Sequence, residues 1–176
     1  MFMLLGMAAT AQVELKINAI GALFSSPDLS VEFGVAPNVG VEVGLGLNFG
    51  KISIEEIDLK RNGLTQFVAG KYYFNDKQQH DGFNAGLYLS ANQTAFKAEV
   101  PDQADENFRL NNFAIGFIAG QKWVGQNNII FEIDLGLGRA LINEITYEEE
   151  DATIDLSSIP FVNIDLLGRV AIGYRF

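Results

Sequence analysis

The sequence predicts an all-β fold, an eight-stranded antiparallel up-and-down transmembrane β-barrel, from three observations. Apolar and polar residues alternate with a period of two in eight segments, which is the spacing of a strand with two different faces. One face is almost unbroken Val, Leu, Ile and Phe, whereas the other carries Gly with isolated charges and Asn. The connections alternate between short and long. A length of 176 residues with 48% apolar residues fits one folded domain.

The overall charge and the cysteine count exclude several functions. The chain has 22 acidic and 12 basic side chains, which gives a net charge of −10. Nucleic acid is excluded as a partner, because a phosphate backbone requires a basic surface. The chain has no cysteine, so disulfides, thiolate nucleophiles and sulfur-ligated metals are excluded as well.

Residues 1–11 predict a segment outside the domain. They are apolar and uncharged and end in Ala9-Thr10-Ala11, the small-residue pattern that precedes a secretory cleavage point. The segment is shorter than the roughly 20 residues of a membrane-spanning helix. No basic residue precedes it, so we interpret it as the remnant of a signal peptide that begins upstream, with the barrel at 12–176. The alternative is an apolar first strand of a soluble protein.

The first three segments alternate over residues 13 to about 24, 29–36 and 39–49. The third is the clearest. Its apolar face consists of Val39, Val41, Val43, Leu45, Leu47 and Phe49. Its polar face consists of Gly40, Glu42, Gly44, Gly46 and Asn48. An α-helix would not separate these residues onto two faces, so the pattern predicts a strand.

Five further segments continue the alternation at 64–74, 83–90, 112–122, 129–138 and 162–176. The fourth segment of the eight is the least regular, because Phe67 lies on its polar side. The short connections are 36–38, 75–81 and 125–127, and the long polar ones are 51–63, 93–111 and 143–160. Only the first connection, at 25–28, breaks the alternation in length.

The polar face indicates that the apolar face points outward. A soluble β-protein fills its solvent face with Thr, Ser, Lys and Gln, whereas a Gly-rich face suits side chains that converge in a narrow lumen. The apolar face is long enough for a membrane strand of about 9–11 residues. Because every backbone donor and acceptor must be paired in lipid, the eight strands are expected to close into a barrel.

The chain ends in Ile172-Gly173-Tyr174-Arg175-Phe176. This ending resembles the C-terminal signal by which bacterial outer-membrane barrels reach their assembly machinery, with Ile172, Tyr174 and Phe176 as the signal residues. The whole chain is similar to small eight-stranded outer-membrane barrels, and its Gly-rich opening resembles a Bacteroidetes family of unknown function. The resemblance implies the outer membrane of a Gram-negative bacterium, with both termini and the short connections in the periplasm. Outer-membrane lipid and the assembly machinery are the implied partners.

The polar strand faces place acidic and basic residues together in the predicted lumen. These residues are Glu14, Lys16, Glu32, Glu42, Lys71, Lys122, Glu132, Asp134, Asp165, Arg169 and Arg175. Unpaired charges are costly to bury, so we expect salt bridges that fill the interior, with Arg169 beside Asp134 or Glu132. The sequence therefore favours a structural or surface-interaction barrel with a plugged lumen. The alternative is a narrow pore for ions or small solutes.

A lipid-modifying enzyme is the least favoured interpretation. Such chemistry needs a nucleophile activated by a base, most often His. The single histidine, His80, lies in a short connection and is expected to be a solvated turn residue. We expect no catalytic site, no cofactor and no protein metal centre. The acidic stretch 144–155 is interpreted as a solvated loop, with a loosely bound divalent cation as the alternative.

Overall fold

The structure is a computed structural model that describes residues 12–54, 57–75, 80–99, 106–147, 152–157, 159 and 161–176. Nine strands and one short helix lie in these ranges. Their bounds are β1 Val13–Asn18, α1 Ala19–Leu23, β2 Asp28–Ala36, β3 Val39–Ile54, β4 Ile57–Tyr73, β5 Gly82–Glu99, β6 Glu106–Val124, β7 Ile129–Tyr147, β8 Ala152–Asp155 and β9 Ile164–Arg175.

Eight of the strands close into a ring. β1 to β7 pair antiparallel with their neighbours in the chain, and β9 pairs with both β7 and β1. The closing register places Leu15 opposite Tyr174. The short β8 pairs with the far end of β7, where Glu144 lies opposite Asp155, and stands outside the ring. The predicted eight-stranded antiparallel barrel is therefore confirmed.

The prediction that the first strand continues to about residue 24 is wrong. β1 ends at Asn18, and residues 19–23 form α1. The side chain of Asn18 caps this helix by accepting a hydrogen bond from the Gly21 amide at 3.2 Å, which satisfies one of the free N–H groups of the first turn. Within the described ranges, no helix has the length and apolar character needed to cross a bilayer.

The long connections are shorter than the sequence predicts, because much of them is strand. β3 and β4 extend to Ile54 and Ile57, and β7 extends to Tyr147. These extensions project beyond the closed ring. At this end of the barrel the ring stops where the shorter strands β2 and β9 begin, at Asp28 and Ile164. Beyond this point the strands no longer surround a lumen. Their residues therefore lose the alternation of apolar and polar side chains from which the strands are predicted.

The barrel is inverted relative to a soluble protein. Apolar side chains on the outer face are exposed, for example Leu45 at 58% and Leu135 at 68%, whereas Glu42 and Lys122 on the inner face are fully buried. Glycines leave space on the inner face: a Cβ at Gly44 would lie 1.9 Å from the Phe67 ring. Phe67 therefore occupies the polar face because a glycine lies opposite it on β3.

Candidate functional site in the barrel lumen

Three glutamates lie side by side on the inner face of β1, β2 and β3. The register places Glu14 opposite Glu32 and Glu32 opposite Glu42. All three side chains are buried. Like charges that face each other across strands are destabilising, so this row is stable only if cations lie against it.

Lys16 supplies the central cation. Its Nζ lies 2.6 Å from Glu32 Oε2, 2.8 Å from Glu42 Oε2 and 2.5 Å from Glu132 Oε2. An ammonium group has three N–H donors, and each of them has a carboxylate acceptor here. The three carboxylates approach within 4.8 Å of one another, a spacing that would also suit a metal ion. The ammonium of Lys16 lies among them.

Lys71 completes a closed ring of charges with Lys16. The Nζ of Lys71 lies 2.7 Å from Glu42 Oε2, 3.0 Å from Glu132 Oε1 and 2.9 Å from Asp134 Oδ2. Glu42 and Glu132 thus each bridge the two lysines. All members of this ring are buried.

Lys122 connects the ring to the end of the barrel that carries the short turns. Its Nζ lies 2.6 Å from Glu14 Oε2 and 2.8 Å from Glu32 Oε2. It also lies 4.6 Å from the centre of the Tyr73 ring, whose hydroxyl donates a hydrogen bond to Glu32 at 2.5 Å. At the same end, Arg175 donates to Glu14 Oε1 at 2.6 Å.

Arg169 lies on the opposite side of the ring. Its Nη1 lies 2.9 Å from Glu42 Oε1, and its Nη2 lies 2.9 Å from Asp28 Oδ1. Asp134, its neighbour in the register, is farther away at 3.6 Å. The guanidinium also stacks over Phe67 at 4.2 Å. The sequence predicts that Asp28 ends the first connection. In the structure Asp28 begins β2 and is one of the closest partners of Arg169.

Ten of the eleven sequence-predicted lumen residues belong to this one connected set of ion pairs, which we call the lumen network. The eleventh, Asp165, accepts a hydrogen bond from the Tyr88 hydroxyl at 2.5 Å instead. The lumen residues predicted from the sequence do not include Tyr73, Tyr88 or Asp28. Tyr73 lies on the same face of β4 as Lys71, and Tyr88 lies on the same face of β5 as Asn84. The alternation of the sequence therefore predicts that both tyrosines point into the lumen.

The prediction that His80 is a solvated turn residue is wrong. The residue has a φ of +58° and its side chain is buried. Its Nε2 lies 3.1 Å from the Val39 carbonyl oxygen, its Nδ1 lies 3.0 Å from the side-chain amide of Gln12, and its ring packs edge-on against Tyr73. His80 therefore lies inside the barrel end that carries the short turns. Both of its ring nitrogens are engaged by described residues.

The remaining predicted features lie at the two ends of the chain and on the acidic stretch. Ile172, Tyr174 and Phe176 are exposed on the outer face of β9 and its end, and the rings of Tyr174 and Phe176 are in edge-to-face contact.

In the acidic stretch, Glu144 and Asp155 belong to paired strands rather than to a loop. Hydrogen bonds from Ser157 lower the pKa of Asp155 below its ordinary value. Residues 1–11 and 148–151 lie outside the described residues.

Comparison with known proteins adds the fold relationship and the family. The structure is similar to the crystal structure of a major outer membrane protein from Thermus thermophilus, with a TM-score of 0.61 and 12% identity over 94% of this chain and 99% of that chain. At this identity the likeness shows the fold alone. No curated protein matches the sequence. A family model described as "Protein of unknown function (DUF3575)" matches residues 1–158, so the chain belongs to this family.

Proposed function

We propose that the protein is an integral outer-membrane barrel with a structural or surface-interaction role, and that its lumen network closes the barrel to solutes. The observation that carries this proposal is the position of Lys16, whose ammonium is held by three buried carboxylates. A barrel of eight strands has an interior just wide enough for side chains to fill it.

The energetics of the lumen network favour a closed barrel. An ion that crosses the lumen would have to separate Lys16 or Lys71 from Glu42 and Glu132, which leaves charges buried without a partner. Breaking one partner of a buried ion pair costs about 3–5 kcal/mol. The narrow pore, the second candidate function, therefore requires a rearrangement of several ion pairs at once.

The orientation in the membrane is part of the proposal. The outer face of β9 ends in Ile172, Tyr174 and Phe176, which resemble the signal of outer-membrane barrels and are exposed where an assembly factor would contact them. We place both termini and the short turns in the periplasm and the extended ends of β3 to β7 at the cell surface. The assembly machinery and outer-membrane lipid are the proposed partners.

Single-channel recording in planar bilayers tests the proposal. The refolded wild-type protein is expected to give no steady conductance. Lys71→Gln removes one cation from the ring and is expected to produce transient openings, whereas Lys60→Gln, an exposed position on β4, is expected to behave as the wild type. A large and steady wild-type conductance would support the pore and overturn the closed barrel.

A further inference from the structure

A cavity of about 430 Å³ lies at the end of the barrel opposite the short turns. Its floor is formed by Phe67 and Arg169, which belong to the layer directly above the charged ring. The cavity therefore ends blindly in the lumen. We call it the outer cup. Its volume falls in the range of about 300–1,000 Å³ typical of small-molecule sites.

One wall of the outer cup is a row of neutral hydrogen-bonding side chains. The register places Thr65 of β4 opposite Asn92 of β5, and Asn92 opposite Asn112 of β6. Asn48 of β3 reaches the same row, since its Nδ2 donates to Thr65 Oγ1 at 2.8 Å. Amides and hydroxyls offer both donors and acceptors without charge. This chemistry differs sharply from the ion pairs one layer below.

Two polar side chains of this wall have unused hydrogen-bonding capacity. Ser90 is only 9% exposed and lines the cup, and no hydrogen bond to another described residue engages its side chain. Asn112 is half-buried, lines the cup and likewise has no side-chain hydrogen bond to another described residue. Polar side chains that face a cavity with unused donors and acceptors can hydrogen-bond a ligand there. Asn92 is held in place, because its Oδ1 accepts from Thr94 Oγ1 at 2.8 Å.

The lining away from this row includes apolar side chains. Ile20 of α1 and Leu167 of β9 contribute them, and Leu110 lies beside Asn112 on β6. A ligand that fits the cup must therefore present hydroxyls or amides on one side and C–H groups on the other. A pyranose ring has this division, with hydroxyls around its edge and C–H groups on its faces.

The charge of the outer cup disfavours anions, because its charged lining consists of Asp28, Asp165 and Arg169. Asp28 is paired with Arg169, but the carboxylate of Asp165 is hydrogen-bonded to the neutral hydroxyl of Tyr88. A phosphate or carboxylate ligand would lie near this negative group in a partly desolvated site, which is unfavourable. We propose that the outer cup binds an uncharged saccharide unit, held by Asn112, Ser90 and Asn92.

The saccharide could come from a membrane glycolipid or from solution. The two sources would enter the cup at different places along its rim, which is formed by the ends of the strands. The rim is low at β2 and β9, which begin at Asp28 and Ile164, whereas β3 continues for eight residues beyond its last pairing with β2. The sugar head of a membrane glycolipid would enter over this side, past α1 and the segment that precedes β2, whereas a free sugar would enter from the open end. The chemistry of recognition is the same for both.

Ligand titration by NMR tests the proposal on the full barrel, refolded in a zwitterionic detergent that carries no sugar. Methyl β-glucoside is expected to shift the resonances of Ser90, Asn92 and Asn112 with a millimolar Kd, and glucose 6-phosphate is expected to bind at least fivefold more weakly. Octyl β-glucoside below its micelle concentration separates the two sources. Binding at least tenfold tighter than the methyl glucoside supports a glycolipid head, and equal affinity supports a free sugar.

Asn112→Leu tests whether the neutral wall makes the contact. The side chain of Asn112 has no hydrogen-bond partner among the described residues, so the variant is expected to fold, and its affinity for methyl β-glucoside is expected to fall at least fivefold. Asn127→Leu, in the exposed turn at the other end of the barrel, is the matched control and should bind as the wild type. Absence of saturable shifts up to 100 mM methyl β-glucoside, tighter binding of the phosphorylated sugar, or unchanged affinity in Asn112→Leu would overturn the proposal.

Discussion

Lys16 and Glu132 are 116 residues apart in the chain, yet the Nζ of Lys16 lies 2.5 Å from Oε2 of Glu132. The two residues belong to β1 and β7, which are separated in the ring by β9. The ion pair therefore spans β9 on the inner face rather than joining adjacent strands. It links β1 to β7 past the strand that closes the ring, which makes barrel closure and charge pairing interdependent.

Lys16→Met removes the cation that three carboxylates share, so it should be among the most destabilising single changes in the protein. We expect the free energy of unfolding to fall by about 3–5 kcal/mol, because uncompensated charges remain buried. Urea unfolding of the barrel in lipid bilayers measures this change. The matched control is Lys60→Met, at an exposed position, which should change stability by no more than about 1 kcal/mol, the most that an exposed ion pair contributes. Similar losses in the two variants would contradict the structural importance of the ion pair.

Gly44→Ala tests how tightly the lumen is packed. A Cβ at Gly44 would lie 1.9 Å from the ring of Phe67, and we expect a loss of about 1–3 kcal/mol in unfolding free energy. Gly70→Ala is the matched control, because a Cβ there meets no atom within 4 Å. The double variant Gly44→Ala with Phe67→Leu should recover part of the loss. An equal effect of the two glycine substitutions would show that Phe67 does not occupy the space beside Gly44.

Val43→Arg tests whether the outer face lies in lipid. Val43 is exposed on the outer face of β3, between Val41 and Leu45. An arginine at the bilayer midplane of such a face costs about 2–4 kcal/mol, so folding into lipid vesicles should be impaired to that extent. Val43→Leu is the control and should fold as the wild type. Recovery of the wild type as a detergent-free soluble monomer would contradict the membrane assignment.

Deletion of Phe176 separates assembly from stability. The side chain is largely exposed, although its backbone amide donates to the Val13 carbonyl at 2.9 Å. We expect a reduced yield of assembled barrel in cells, with a much smaller effect on the unfolding of barrel that has been refolded in vitro. Phe176→Tyr keeps an aromatic ring and is expected to assemble. A proportionate loss in both assays would argue against a role in assembly.

The alternation of side chains is sufficient to predict the barrel and the inner position of its charges, because the pleat of a strand fixes which face each residue occupies. It does not determine which charges pair. Lys122 lies opposite Glu132 in the register, yet its Nζ contacts Glu14 and Glu32 on distant strands. Such contacts depend on the diameter of the closed barrel and on the reach of each side chain, which no local pattern encodes.

Residues at the barrel ends are the other group that the sequence could not place. His80 lies in a polar stretch typical of a solvated turn, but its ring is buried beside Tyr73. At the opposite end, the strands continue past the ring without alternation. In both places the position of a side chain depends on contacts with strands that are distant in the sequence.

The most direct test of the central claim is a solid-state NMR measurement of the Lys16 Nζ in the bilayer-embedded barrel, with selective labelling of lysine nitrogens and glutamate carboxyl carbons. The proposed lumen network predicts dipolar contacts from Lys16 to the carboxyl carbons of Glu32, Glu42 and Glu132 at about 4 Å or less, because each N–O distance is below 3 Å. It also predicts slow exchange of the ammonium protons with water. An ammonium that exchanges rapidly and shows no contact to Glu132 would mean that the lumen is hydrated and open, which would contradict the account.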